Sequence, residues 1–206
     1  MRPLPFALAW GLGLGGVLFL PLIPEGWGMS RLEALAAPFV FPLLQLALPL
    51  VRPLYRGLAQ AEKALGLAAW AFLAAEAGFL RAWKALMEAG AGGTLAGLAL
   101  FGQPFFLLVG GMLLAFGWVL ATDPPPPNPV FGAVTPRGLK DPAFFARASR
   151  ASGRFMLAWG SLLVLAALGL PRWVGLEAAL ALTFLLALLG LTALAALPWV
   201  LARRLP

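Results

Sequence analysis

Apolar residues run along this chain in uninterrupted stretches of about 20, the length of a helix that crosses a bilayer, and polar positions collect in short islands between them. The pattern predicts spans at roughly 6–22, 35–51, 61–80, 95–121, 155–170 and 176–201. The second carries Pro38, Pro42 and Pro49 and is expected to be kinked or broken. Prolines are tolerated in such a helix where neighbours re-satisfy the freed carbonyls. The third belongs to a longer helical pattern over 57–89, which either crosses the membrane or lies partly in the interface. The alternation over about 10 residues that a transmembrane barrel needs is absent.

Composition agrees. Hydrophobic residues make up 62% and charged residues 11% of 206, and mean hydropathy is +0.91. A soluble domain is about 25% charged. The expected fold class is therefore all-α, a polytopic integral membrane protein built as a six-span bundle. Two N-terminal spans (1–56), a third span and turn (57–93) and a C-terminal three-span unit (94–206) divide the chain. Pro21 and Pro24 follow the first apolar run with no small-residue cleavage pattern, so that run reads as an uncleaved span.

The net charge of +7 points to anionic lipid headgroups and to orientation, not to nucleic acid. With both termini inside, the inner side holds Arg2, Arg52, Arg56, Lys63, Arg137, Lys140, Arg147, Arg150, Arg154, Arg203 and Arg204. The outer side holds Arg31, Arg81, Lys84 and Arg172. That is the asymmetry of a cytoplasmic membrane protein. If 57–89 did not cross, the excess would move to the other side. The expected topology thus has both termini in the cytoplasm.

The largest polar island, 122–154, carries five of the 15 Lys and Arg residues and falls on the cytoplasmic side. Pro124 to Pro127 favour an extended stretch leading away from the fourth span. Asp141 is a good N-cap and Pro142 suits the first helical position. A short amphipathic surface helix should start there and lead into the fifth span. Phe144, Ala148, Ala151 and Phe155 share one face; Arg147, Arg150 and Arg154 share another. One reading gives these arginines to lipid headgroups and topology. The other gives them an acidic partner.

The island's pattern, N-x-x-F-G-x-x-T-P-x-x-L-x-D-P followed by an aromatic, basic residues and G-R-F, resembles the SdpI family of bacterial membrane immunity proteins. It is carried by Asn128, Phe131, Gly132, Thr135, Pro136, Leu139, Asp141, Pro142, Phe144 or Phe145, Arg150, Gly153 and Gly160. Leu20-Pro21-Leu22-Ile23-Pro24 and Pro42 are similar to the module that often precedes the motif. The chain departs from the family at Val134, where Arg is usual, and at Arg137 and Gly138, where an aromatic and Thr are usual. Phe144 or Phe145 stands for a Trp. The resemblance implies immunity against a membrane-active peptide toxin, and signalling by holding a cytoplasmic regulator at the membrane. On that reading Arg147, Arg150 and Arg154 are charge contacts for partner or lipid, and Phe131, Phe144 and Phe145 are apolar anchors. Asn128, Gly132, Thr135, Pro136, Asp141 and Pro142 shape the loop.

Three polar side chains fall within spans: Glu76, Gln45 and Gln103. Glu76 is either a proton or ligand group, or a side chain near the outer interface that snorkels or pairs with Arg81 or with an Arg on another span. Gln45 and Gln103 are expected to bond each other across helices. If all three lined one polar path, the chain would be a small transporter or lipid-handling protein. A third reading is a structural accessory subunit with a broad apolar face. Gly11 with Gly15 and Gly93 with Gly97 match the G-x-x-x-G packing spacing. There is no Cys and no His, and the eight carboxylates are scattered without paired-acid or metal-ligand spacing. No enzyme, cofactor or metal site is expected.

Overall fold

The computed structural model describes residues 4–17, 36–51, 57–88 and 94–204. Among them the chain is helical and connected by turns, with no strand. The helices are α1 (Leu4–Val17), α2 (Val40–Gln45), α3 (Ala47–Val51), α4 (Ala59–Glu88), α5 (Thr94–Thr122), α6 (Pro136–Lys140), α7 (Pro142–Gly169), α8 (Pro171–Val174) and α9 (Leu176–Arg204). Four stretches are long and apolar enough to cross a membrane: Ala59–Lys84, Gly102–Thr122, Pro142–Val174 and Leu176–Arg203. Leu4–Val17 and Ala37–Val51 are shorter apolar helical segments.

The segment with three prolines breaks as expected. A 3-10 turn at Ala37–Phe39 precedes α2, and a turn at Leu46 separates α2 from α3. Pro49 has no N–H for the Gln45 carbonyl, so the α-helical ladder lapses at that point. The Leu46 N–H turns back to Leu43 O, at 3.1 Å. Within the segment 57–89, Ala59–Glu88 forms one unbroken helix, α4, that lies antiparallel along α5. Ala61 and Ala64 pack with Val119 and Leu120 near one end. A Cβ on Gly111 would lie 2.7 Å from that of Ala71, and Gly78 faces Leu107 and Pro104 towards the other end.

The tightest seam joins α5 to α7. A Cβ on Gly110 would sit 3.0 Å from Gly160 O, and one on Gly117 would sit 2.9 Å from Gly153 O. Two glycine pairs, spaced seven residues on each helix, thus bring the backbones into direct contact. The packing expected of Gly11 and Gly15 is not found: both face open space, and Gly13 and Gly16 pack instead, against Pro38, Phe39 and Leu80. Gly93 lies outside the described residues.

Helix α9 is peripheral and mostly exposed. It is held where Trp159 covers Gly190 and donates its indole N–H to Leu186 O at 2.9 Å. The surface helix expected to precede the fifth span is continuous with it. Both are α7, because nothing between Pro142 and Gly169 interrupts the ladder.

Candidate functional site

The island 122–154 folds as a cap over the helix ends, and its motif residues make it. Asn128 Oδ1 accepts from the Val130 and Phe131 N–H groups at 3.0 and 2.7 Å. Its Nδ2 donates to Pro126 O and Phe131 O. The turn so formed drives Phe131 inward against Phe116, at 5.7 Å between ring centroids, beside Ala61 and Ala64 of α4. Gly132 follows with φ +111°, and a Cβ there would meet the Phe145 ring at 2.8 Å. The Ala133 N–H then donates to Ser149 Oγ, at 3.0 Å.

Two caps complete the cap region. Thr135 accepts from the Gly138 N–H and starts α6, with Pro136 at its first turn. Asp141 accepts from the Phe144 N–H and starts α7, with Pro142 at its first turn. Each such cap is worth about 1 kcal/mol.

Arg137 and Gly138, two departures from the family pattern, have clear work here. The Arg137 guanidinium lies 4.8 Å over the Phe144 ring and donates to Ala202 O, a carbonyl of the last turn of α9, at 3.0 Å. It satisfies an orphan carbonyl and places positive charge at the negative end of that helix. Gly138 leaves room for Ala133 O, which a Cβ would approach to 3.0 Å. This tether is not legible from local pattern, because its acceptor is a backbone atom 65 residues away.

The reading of Phe131, Phe144 and Phe145 as partner anchors is corrected. All three are buried, with Phe144 and Phe145 fully enclosed. Phe144 packs with Ala133 and Ala148 against Leu201 and Ala202. The face that looked free in the sequence is covered by the end of α9. Arg147, Arg150 and Arg154 are exposed. The exposed apolar residues of the region are Val130, Leu139 and Trp199. Trp199 and Leu139 line a cleft of about 500 Å³ with Val134, Thr135, Pro136 and Lys140.

The three intramembrane polar residues separate. Gln45 Nε2 donates to Ala69 O of α4 at 3.0 Å, and Gln103 Nε2 donates to Ala167 O of α7 at 2.7 Å. They do not bond each other; each uses a backbone carbonyl of the helix it faces. Glu76 is fully buried. It does not reach solvent, and neither of its oxygens has a hydrogen-bond partner among the described residues. Arg81 is exposed on the same helix. No family model, curated protein or solved structure matches the chain.

Proposed function

We propose that the chain is an SdpI-like integral membrane protein of the cytoplasmic membrane, acting in immunity against a membrane-active peptide toxin or in holding a cytoplasmic regulator at the membrane. In this reading it has six spans, the two short apolar segments supplying the first two, and both termini are cytoplasmic. The cap 122–154 is its interaction surface. Arg147, Arg150 and Arg154 contact an acidic partner, with anionic headgroups as the background ligand. Leu139 and Trp199 replace the three phenylalanines as the apolar contacts.

One observation carries the reading. Asn128, Gly132, Thr135, Pro136, Asp141 and Pro142 all serve to build a single rigid cap, and that cap leaves three arginines exposed at helical spacing. The transporter alternative needs Glu76, Gln45 and Gln103 on one path. Gln45 faces α4 whereas Gln103 faces α7, which withdraws support from it.

The test is a pull-down from native membranes, wild type against a variant with all three arginines changed to Ala. Loss of a protein or peptide partner in the variant is the expected result. Identical partners in both samples would reject the cap as an interaction surface.

A further inference from the structure

A buried carboxyl normally has a partner, and Glu76 has none among the described residues. It is the one ionisable side chain among the described buried residues. It lies on the face of α4 that carries Ala69, Phe72, Phe79 and Trp83, the face packed against the broken segment. Among the described residues, α1, the 3-10 turn, α2, α3 and α5 pack on α4 and contain no Asp, Glu, Lys or Arg; the cap touches α4 at its other end, at Ala61 and Ala64, where Gln60 donates to Asp123. On α4 itself, Glu62, Lys63, Arg81 and Lys84 are all exposed. An ionised carboxylate left alone there would cost several kcal/mol.

Gln45 adds a second, independent anomaly. Its Nε2 is committed to Ala69 O, while its Oε1 is buried without a donor. Ala69 and Glu76 are seven residues apart, two turns along one face or about 10 Å of rise. Helical side chains lean towards the N-terminus, so Glu76 reaches back in the direction of the Gln45 amide. Three acceptor oxygens thus stand in one helix interface with nothing donating to them. Gln45 also sits at the break between α2 and α3, where Pro49 withdraws an N–H from the ladder. Broken membrane helices supply carbonyl oxygens to small cations in the same way.

We propose that Glu76 and Gln45 form a buried binding site for a monovalent cation, a proton or a sodium ion, at the break in the α2–α3 segment. The Glu76 carboxyl and the Gln45 amide oxygen are acceptors, which disfavours an anion between them. A single carboxylate matches a single positive charge. Neither side chain has exposed surface, so the ligand is small. The site is separate from the cap and stands or falls independently of it.

The test uses the purified full chain in nanodiscs, with thermal unfolding followed for wild type, Glu76→Gln and Gln45→Leu. Glutamine keeps the shape of Glu76 without the charge. The other carboxyls are common to all three proteins, so the difference between them isolates the site. If a proton is the occupant, wild type gains several degrees relative to Glu76→Gln as the pH is lowered, equally in sodium and in choline chloride. Dicyclohexylcarbodiimide, which reacts with protonated carboxyls in apolar surroundings, then labels Glu76. If sodium is the occupant, wild type gains the same margin when sodium replaces choline at constant ionic strength, and sodium protects Glu76 from the label. In either case Gln45→Leu requires about a tenfold higher cation activity for the same gain, one hydrogen-bond-sized contribution of about 1.4 kcal/mol. Unfolding curves that respond to pH and sodium identically in wild type and Glu76→Gln would overturn the proposal. Should Glu76→Gln fail to fold, a Gln45→Leu response equal to wild type overturns the shared site.

Discussion

The cap with its α5–α7 seam and the interface between α4 and the broken segment are both buried and both contain polar groups, yet they treat those groups in opposite ways. In the cap, the side chains of Asn128, Thr135, Asp141 and Ser149 find backbone partners, and the buried Ser152 hydroxyl is the exception among the described residues. At the α4 interface, Glu76 and one end of Gln45 find none. A satisfied polar network specifies a shape. An unsatisfied one keeps its hydrogen-bonding capacity unspent. The hydrogen-bonding residues of the motif therefore serve shape, and the buried carboxyl of Glu76 with its unspent capacity lies outside it.

The comparison can be broken hardest at the seam. Gly153→Leu drives a side chain into the α5 backbone and should destabilise by about 3 kcal/mol or prevent folding; yield and monodispersity in detergent will show it. A Gly153→Leu protein that purifies and melts like wild type would mean that α5 and α7 do not approach as closely as described. Thr135→Ala leaves the buried Gly138 N–H without its acceptor and should cost about 1–2 kcal/mol, read as a lower unfolding temperature. Arg137→Ala removes both the Ala202 bond and the contact with Phe144, at about 1 kcal/mol. Its sharper readout is faster hydrogen exchange in the last turns of α9 with α5 unchanged.

Smaller effects refine the contrast. Gln103→Leu deletes a bond whose donor is satisfied and should cost about 0.6 kcal/mol, the usual size in a membrane. Gln45→Leu deletes a similar bond but also removes an orphan acceptor, so in cation-free buffer it should cost less than Gln103→Leu. Thermal unfolding of the two side by side decides this, and a larger loss for Gln45→Leu would mean that its Oε1 is satisfied. Changing Arg147, Arg150 and Arg154 together to Ala should leave stability within about 0.5 kcal/mol while abolishing partner capture.

Much of the architecture was legible in the sequence. Apolar runs located the long helices, the three prolines marked the broken segment, and the Asp141-Pro142 pair marked the start of α7. These signals are local: each depends on a residue's effect on its own few neighbours. What was missed depends on residues far apart. Gly110 and Gly117 are unremarkable until they meet Gly160 and Gly153. Gln45 and Gln103 read as partners because both are amides, yet each found a nearer acceptor in a backbone carbonyl. Phe144 and Phe145 looked like a free face because the end of α9, which covers them, is a distant part of the chain. Glu76 stands out in the sequence as a carboxylate within an apolar run, but hydropathy alone does not tell an interfacial position from a sealed one.

The bond from Arg137 to Ala202 also sets an order of events during synthesis. Asn128, Thr135 and Asp141 can organise their turns as soon as they leave the ribosome, since their partners lie within three residues. Arg137 must wait for a carbonyl made 65 residues later, after α7 and α9 have been threaded into the bilayer. The cap therefore closes only on chains whose final helix has packed so that its last turn returns to Arg137. A cap that stays open marks a chain whose last helix has not found its place.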